Sequence, residues 1–168
     1  MIQKGTAVTN HEARSIAQEL LQDYVVAIDD DKLEQWPGFF IKDCLYQVVS
    51  RENLDQGLPL AIISCDCAGA LVDRIAAHRK ANLFAPHAYR HLIGPVRIVS
   101  IGEDEITTRA NYAVYRTSLD PINYGITELF SVGEYRDRIV TREGVARYKE
   151  KTVVVDTCKI QTLLVTPL

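Results

Sequence analysis

Between Leu33 and Leu60 the chain changes its repeat, and that change constrains the fold more than any other feature. Upstream, Ala13, Ile16, Ala17, Leu20, Leu21, Tyr24, Ala27 and Ile28 recur every three or four residues, the apolar stripe of an amphipathic helix. Asp29-Asp30-Asp31 ends the stripe. Trp36, the only tryptophan, is followed by Pro37-Gly38 and Phe39-Phe40, and from Asp43 the period shifts toward that of a strand. A helix must therefore turn almost directly onto a sheet. The large aromatic side chains at the turn need a common core to enter.

The rest of the chain fits around that junction. Thr9 and Glu12 have the spacing of a capping box, so the first helix is expected over roughly 10–29. A short helix over 32–36 follows, with Asp31 its candidate cap. Residues 43–51 read as a strand with Cys44, Tyr46 and Val48 on one face and Leu45 and Val49 on the other. Both faces are apolar, so it is not a half-solvated edge. Residues 52–59 read as loop and 60–65 as a short strand. A second helix is expected over roughly 67–82, where Leu71, Val72, Ile75 and Ala76 share a face, and it must stop before Pro86.

Beyond residue 88 at least four long antiparallel strands are expected. The first, 89–101, is interrupted at Gly94-Pro95. Residues 107–118 alternate with Ala110, Tyr112 and Val114 on one face, and 119–125 form a longer loop. Residues 126–140 change phase near Gly133, which predicts a bulge there. Residues 145–156 make the last strand, and the tail closes on Leu163, Leu164, Val165 and Leu168, an apolar end that is expected to dock. Residues 1–8 carry no pattern and are expected to fray. Helices first and antiparallel strands after is an α+β order, and 168 residues suit one domain, 1–168.

Composition excludes several classes. With 47% hydrophobic and 24% charged residues the chain is far from the disordered class. A formal net charge of −3 with no clustered basic face argues against nucleic acid. No apolar run approaches the roughly 20 residues that span a bilayer, and the N-terminus lacks a secretory core. No membrane association is expected. The reading is cytoplasmic, with the four cysteines as reduced thiols.

Asp31, Trp36, Phe39-Phe40, Asp43 and Tyr46 together resemble the helix-to-sheet junction of the cone-shaped α+β fold shared by scytalone dehydratase, ketosteroid isomerase and nuclear transport factor 2. The longer string from Glu34-Gln-Trp-Pro through Arg51-Glu-Asn-Leu-Asp-Gln-Gly-Leu-Pro-Leu60 is more specific. It resembles the small (β) subunits of ring-hydroxylating oxygenases acting on aromatic acids such as salicylate and terephthalate. Tyr89-Arg-His-Leu-Ile-Gly94 and the closing Leu-Leu-Val-Thr-Pro-Leu carry the same resemblance, which runs from about Ala13 to Leu168.

The resemblance implies a strongly curved, mostly antiparallel sheet packed on N-terminal helices. It implies a structural, non-catalytic subunit that binds no metal or cofactor. A large (α) partner would hold a Rieske [2Fe–2S] cluster and a mononuclear iron, supplied from NAD(P)H through a reductase and ferredoxin. Family members self-associate as trimers within an assembly of three large and three small chains. The resemblance implies subunit contacts at Arg51, Glu52, Arg90 and His91, while the excess of apolar sequence adds Trp36, Tyr46, Leu163, Leu164 and Leu168 as candidates.

The chain's own residues offer little chemistry by themselves. No Cys-x-His followed by Cys-x-x-His exists. Cys65-Asp66-Cys67 is not a cluster or zinc spacing and reads as small core residues. His87 and His91 lie four apart, a ligand pair only on a helix, whereas the local pattern is a strand. The rival reading is a stand-alone cone isomerase, dehydratase or cyclase with its own pocket. Its general base and hydroxyl donors would come from Tyr24, Asp29, Tyr46, His78, Tyr112, Tyr115 and Tyr135.

Overall fold

Thr9 opens the first helix through a reciprocal cap. Its Oγ1 accepts from Glu12 N at 3.2 Å, while the Glu12 carboxylate accepts from Thr9 N at 2.9 Å. In the computed structural model, which describes residues 9–58, 60–81, 84–156, 164 and 166–168, this helix, α1, spans Asn10–Asp29. Ala13, Ala17, Leu20, Leu21, Tyr24 and Ile28 form its buried stripe. The expectation that 1–8 fray lies outside the described residues.

The turn after α1 differs from the expectation. Asp31 adopts a left-handed φ of 57°, and no side chain caps the helix that follows, whose N-cap is Lys32. Asp31 does not serve as the cap because Arg79 claims it. Arg79 Nη1 reaches both Asp31 carboxylate oxygens at 2.8 Å, and its Nε reaches Glu34 at 2.8 Å. The helix itself is a 3-10 helix, Leu33–Phe39, longer than expected, and it sinks Leu33 and Trp36 into the core.

Phe40–Ser50 then form β1, starting earlier than its alternation suggested. Ser50 Oγ accepts from Asn53 N at 3.2 Å and starts a short helix, α2, Arg51–Asp55, where a loop was expected. β2 (Ile63–Cys65) and α3 (Ala68–Lys80) follow. The strand expected over 89–101 is split as its Gly-Pro predicted, into β3 (His87–Ile93) and β4 (Arg97–Ile101). β5 (Glu105–Ser118), β6 (Thr127–Arg142) and β7 (Val145–Val155) complete the order.

These strands make one seven-stranded sheet in the order β2-β1-β7-β6-β5-β3, with β4 also paired to β5. Only the β1–β7 pairing is parallel among the pairings described. α1 packs on β7, β5, β4 and β3. The sheet bends over this helix where its strand register shifts. Bulges supply the bend. Opposite Val114-Tyr115, β6 offers Ser131 and Leu129, so Phe130 is the extra residue. The phase change therefore lies at Phe130 and not at Gly133. Gly133 answers a different need, since a Cβ there would lie 1.9 Å from Val154 O.

Candidate functional site

The inward faces of β6 and β7 carry a charged pair in an otherwise aromatic core. Asp137 and Lys151 are direct cross-strand partners, and Lys151 Nζ lies 3.0 Å from Asp137 Oδ2 with side-chain exposures of 0% and 3%. The ammonium also sits 4.0, 4.4 and 4.5 Å from the ring centroids of Tyr135, Tyr148 and Tyr24. These faces solvate the cation where water cannot. Burial pushes the Asp137 carboxyl up and pulls the Lys151 ammonium down, while their mutual attraction opposes both. Sequence reasoning missed this pair. Its signal was available: Asp137 interrupts the buried alternation Tyr135, Asp137, Ile139.

A second polar pair ties α1 to the sheet edge. β3 ends the strand order among the described residues, so its outward N–H groups have no neighbouring strand there. Asp29, the last residue of α1, takes one of them: His91 N donates to Oδ2 at 2.9 Å, and His91 Nδ1 lies 2.6 Å from Oδ1. The arrangement has the form of an aspartate-oriented imidazole. His91 Nε2, however, is buried with no hydrogen-bond partner among the described residues, and His91 is not among those that line the neighbouring groove.

The third cluster gathers around the last residues. Tyr24 Oη donates to Leu168 O at 2.7 Å, Tyr46 Oη donates to the same oxygen at 3.3 Å, and Leu168 N donates to Tyr46 Oη at 3.1 Å. Thr166 Oγ1 lies 3.0 Å from His78 Nε2, and Arg74 donates to Leu164 O at 2.8 Å. Beside it a groove of about 390 Å³ runs between the ends of α1 and α3 and the start of β3, with His78, Phe84, His87 and Tyr89 along one side. Burial pulls the His78 pKa down, so its imidazole favours the neutral form.

The residues expected at subunit contacts fall into two groups. Trp36, Tyr46 and Leu168 are wholly buried, and each meets its burial within the chain itself. Trp36 and Tyr46 meet edge to face at 4.9 Å. His91 is buried against Asp29, and Leu164 packs half-buried on the core. Arg51 pairs with Asp156 at 2.8 Å and keeps part of its surface, Glu52 is exposed beside Gln56, and Arg90 projects outward 3.9 Å from Asp29. Leu163 lies outside the described residues. Of the cone-enzyme candidates, Tyr24 and Tyr46 are brought together at Leu168, and Tyr112 and Tyr135 stack at 4.5 Å. Tyr115 faces outward, away from both sets.

No metal centre assembles among the described residues, where no group of three or more His, Cys, Asp or Glu side chains is placed to hold an ion. His87 and His91 are on a strand, and His87 Nδ1 lies 2.8 Å from Ala85 O. Cys44, Cys65 and Cys67 are free thiols, and burial pushes Cys44 up to about 11 and raises Cys65. Thiols held protonated are poor ligands.

Outside, large apolar side chains cluster on the β5–β6 hairpin. Ile122 is 89% and Tyr124 73% exposed, with Ile126 and Leu129 exposed beside them, and Leu129 is the cross-strand partner of Tyr115. No helix among the described residues is long and apolar enough to cross a membrane.

Comparison with known proteins places this arrangement. Residues 25–162 match the family described as ring hydroxylating beta subunit. The anthranilate 1,2-dioxygenase small subunit of Burkholderia cepacia is 39% identical over 145 residues, 86% of this chain and 88% of that one. The terephthalate 1,2-dioxygenase terminal oxygenase component subunit beta 2 of a Comamonas species is 39% identical over 145 residues, 86% of this chain and 92% of its own. Among solved structures, a Novosphingobium aromaticivorans chain assigned as the β subunit of an aromatic-ring-hydroxylating dioxygenase superposes with a TM-score of 0.85 at 43% identity, covering 94% of this chain and 98% of that one. The chain belongs to the family of ring-hydroxylating dioxygenase β subunits, as the string from Glu34 to Leu60 had suggested.

Proposed function

We propose that this chain is the metal-free structural subunit of an aromatic-ring-hydroxylating dioxygenase, that it assembles and stabilises the large catalytic subunits, and that the substrate is an aromatic acid. The curated relatives support the substrate class, since anthranilate and terephthalate are both aromatic carboxylates. The observation that carries the assembly role is the apolar surface of the β5–β6 hairpin. Side chains of this size, exposed together, are unusual on a monomer and suit a buried contact.

Of the residues expected at contacts, Arg51, Glu52 and Arg90 offer surface to a partner. Trp36, Tyr46, His91 and Leu168 are buried within the chain, and Leu164 is half-buried on its core. Self-association is as a trimer, because closed cyclic symmetry buries such a patch without open-ended growth. The iron centres belong to the large subunit, electrons reach them through a ferredoxin and reductase, and the assembly works in the cytoplasm. The rival reading of a stand-alone cone enzyme gains one observation, the Asp29–His91 pair. That pair serves equally as the lock between α1 and the sheet edge.

The test is elemental analysis of the purified chain together with turnover of the large subunit. The proposal expects less than a tenth of an iron per chain, and large-subunit activity that rises when the chain is added. One tightly held iron per chain, or turnover of an aromatic acid by this chain alone, overturns it.

A further inference from the structure

We propose that the interior of this subunit is a binding pocket for a small acyl compound, filled in this structure by the chain's own residues 166–168. The segment is held as a ligand is held. Its head is fixed by converging polar groups: Leu168 O accepts from Tyr24 Oη at 2.7 Å and from Tyr46 Oη at 3.3 Å, and Leu168 N donates to Tyr46 Oη at 3.1 Å. Its leucine body is fully enclosed, in a core to which Tyr24, Trp36, Phe40 and Tyr46 contribute. Among the described residues these bonds run to side chains of α1, β1 and α3, and residues 164 and 166–168 lie in no helix or strand.

The walls come from elements whose own hydrogen bonding does not need the segment. α1 is capped by Thr9, and β1 is laddered to β2 and β7. A way in also exists. Thr166 and His78 line the groove of about 390 Å³, so the segment forms part of a surface that meets solvent. His78 is buried, meets Thr166 through Nε2, and leaves Nδ1 with no hydrogen-bond partner among the described residues. A group that displaced Thr166 would meet an imidazole with both nitrogens available.

The ligand class follows from the anchors. Burial pushes Tyr46 up to about 12 and raises Tyr24 well above the ordinary tyrosine value, so both hydroxyls keep their protons and can donate. Two O–H donors meeting at one oxygen select a carbonyl, and the sleeve selects a branched aliphatic or aromatic body about the size of leucine. An amide and a carboxylate share this chemistry. The probes are therefore 4-methylpentanamide, 4-methylpentanoate and the peptide Thr-Pro-Leu.

The experiment is calorimetric titration of the chain shortened by residues 166–168, beside the intact chain. The proposal expects one saturable site per shortened chain, displacement of the amide or the acid by the peptide, and binding at least tenfold weaker to the intact chain, where residues 166–168 must first leave. Adding Tyr24→Phe and Tyr46→Phe to the shortened chain is expected to weaken binding at least tenfold. A shortened chain that keeps its circular dichroism and binds no probe overturns the proposal. So does binding that the two phenylalanines leave unchanged, or equal binding to the intact chain. Should the shortened chain not fold, the intact chain carrying Leu168→Ala decides. Benzene is then expected to raise the Tm of the variant and not of the parent, and no rise overturns the pocket.

Discussion

Lys151 and Asp137 face each other across β6 and β7 at 3.0 Å, and neither reaches solvent. Two charges in a core are costly to desolvate, and here the carboxylate and three ring faces provide the compensation. Removing one partner strands the other. Asp137→Ala or Lys151→Ala is expected to cost about 3–5 kcal/mol, whereas Asp137→Leu with Lys151→Met is expected to be near neutral. Urea unfolding of the three variants checks this, and equal losses for single and double variants would contradict it.

The buried tyrosines make stability fail at alkaline pH. Burial raises the pKa of Tyr24, Tyr46, Tyr89, Tyr112, Tyr135 and Tyr148, with Tyr46 at about 12. A hydroxyl whose folded pKa lies above the unfolded value of about 10 contributes stability in full below that value and loses it as pH rises through the folded value. The chain is therefore expected to unfold cooperatively above pH 10, with these tyrosines ionising in the same step. Ultraviolet absorbance and circular dichroism followed together test this. Ionisation of the six before any loss of structure would be the contrary result.

Gly133→Ala is expected to destabilise the sheet although the backbone there needs no positive φ. The added carbon would lie 1.9 Å from Val154 O and 3.1 Å from the Tyr112 ring, so β6 and β7 must part. Overpacking of this kind costs about 1–3 kcal/mol, and with backbone as the obstacle the upper end applies. Thermal unfolding reads the change.

The elements most legible in the sequence were those fixed by local chemistry. Thr9 and Glu12 placed the start of α1 to the residue, and Gly94-Pro95 placed the break between β3 and β4. What the sequence hid was decided by distant partners. Asp31 could not be read because Arg79, far along the chain, takes its carboxylate. The bulge at Phe130 needed the pairing with β5, and Trp36 and Tyr46 look like contact residues until the fold supplies them with an interior. The tail at Leu168 was expected to dock, but not that its seat would be two tyrosine hydroxyls.

Arg51→Ala tests the contact role of the 51–60 string. Within the chain its bond to Asp156 is a partly exposed ion pair, worth about 0.2–1 kcal/mol. The monomer fold is expected to survive nearly unchanged while assembly weakens. Normal assembly of the variant would remove Arg51 from the contact.

Ile122→Asp with Tyr124→Asp tests the hairpin. Both side chains are exposed, so the isolated fold should change by no more than about 0.5 kcal/mol. Association is expected to fall at least tenfold, read by dilution in gel filtration, and unchanged association would place the contact elsewhere.

The most direct test of the account is sedimentation velocity of the chain alone and mixed with its large oxygenase subunit, followed at protein and at iron–sulfur absorbance. The account predicts a colourless trimer alone at micromolar concentration. It predicts one faster boundary in the mixture, containing both chains in equal number, with the colour contributed by the large subunit. A monomer that stays separate from the large subunit, or a coloured boundary from this chain alone, would contradict it.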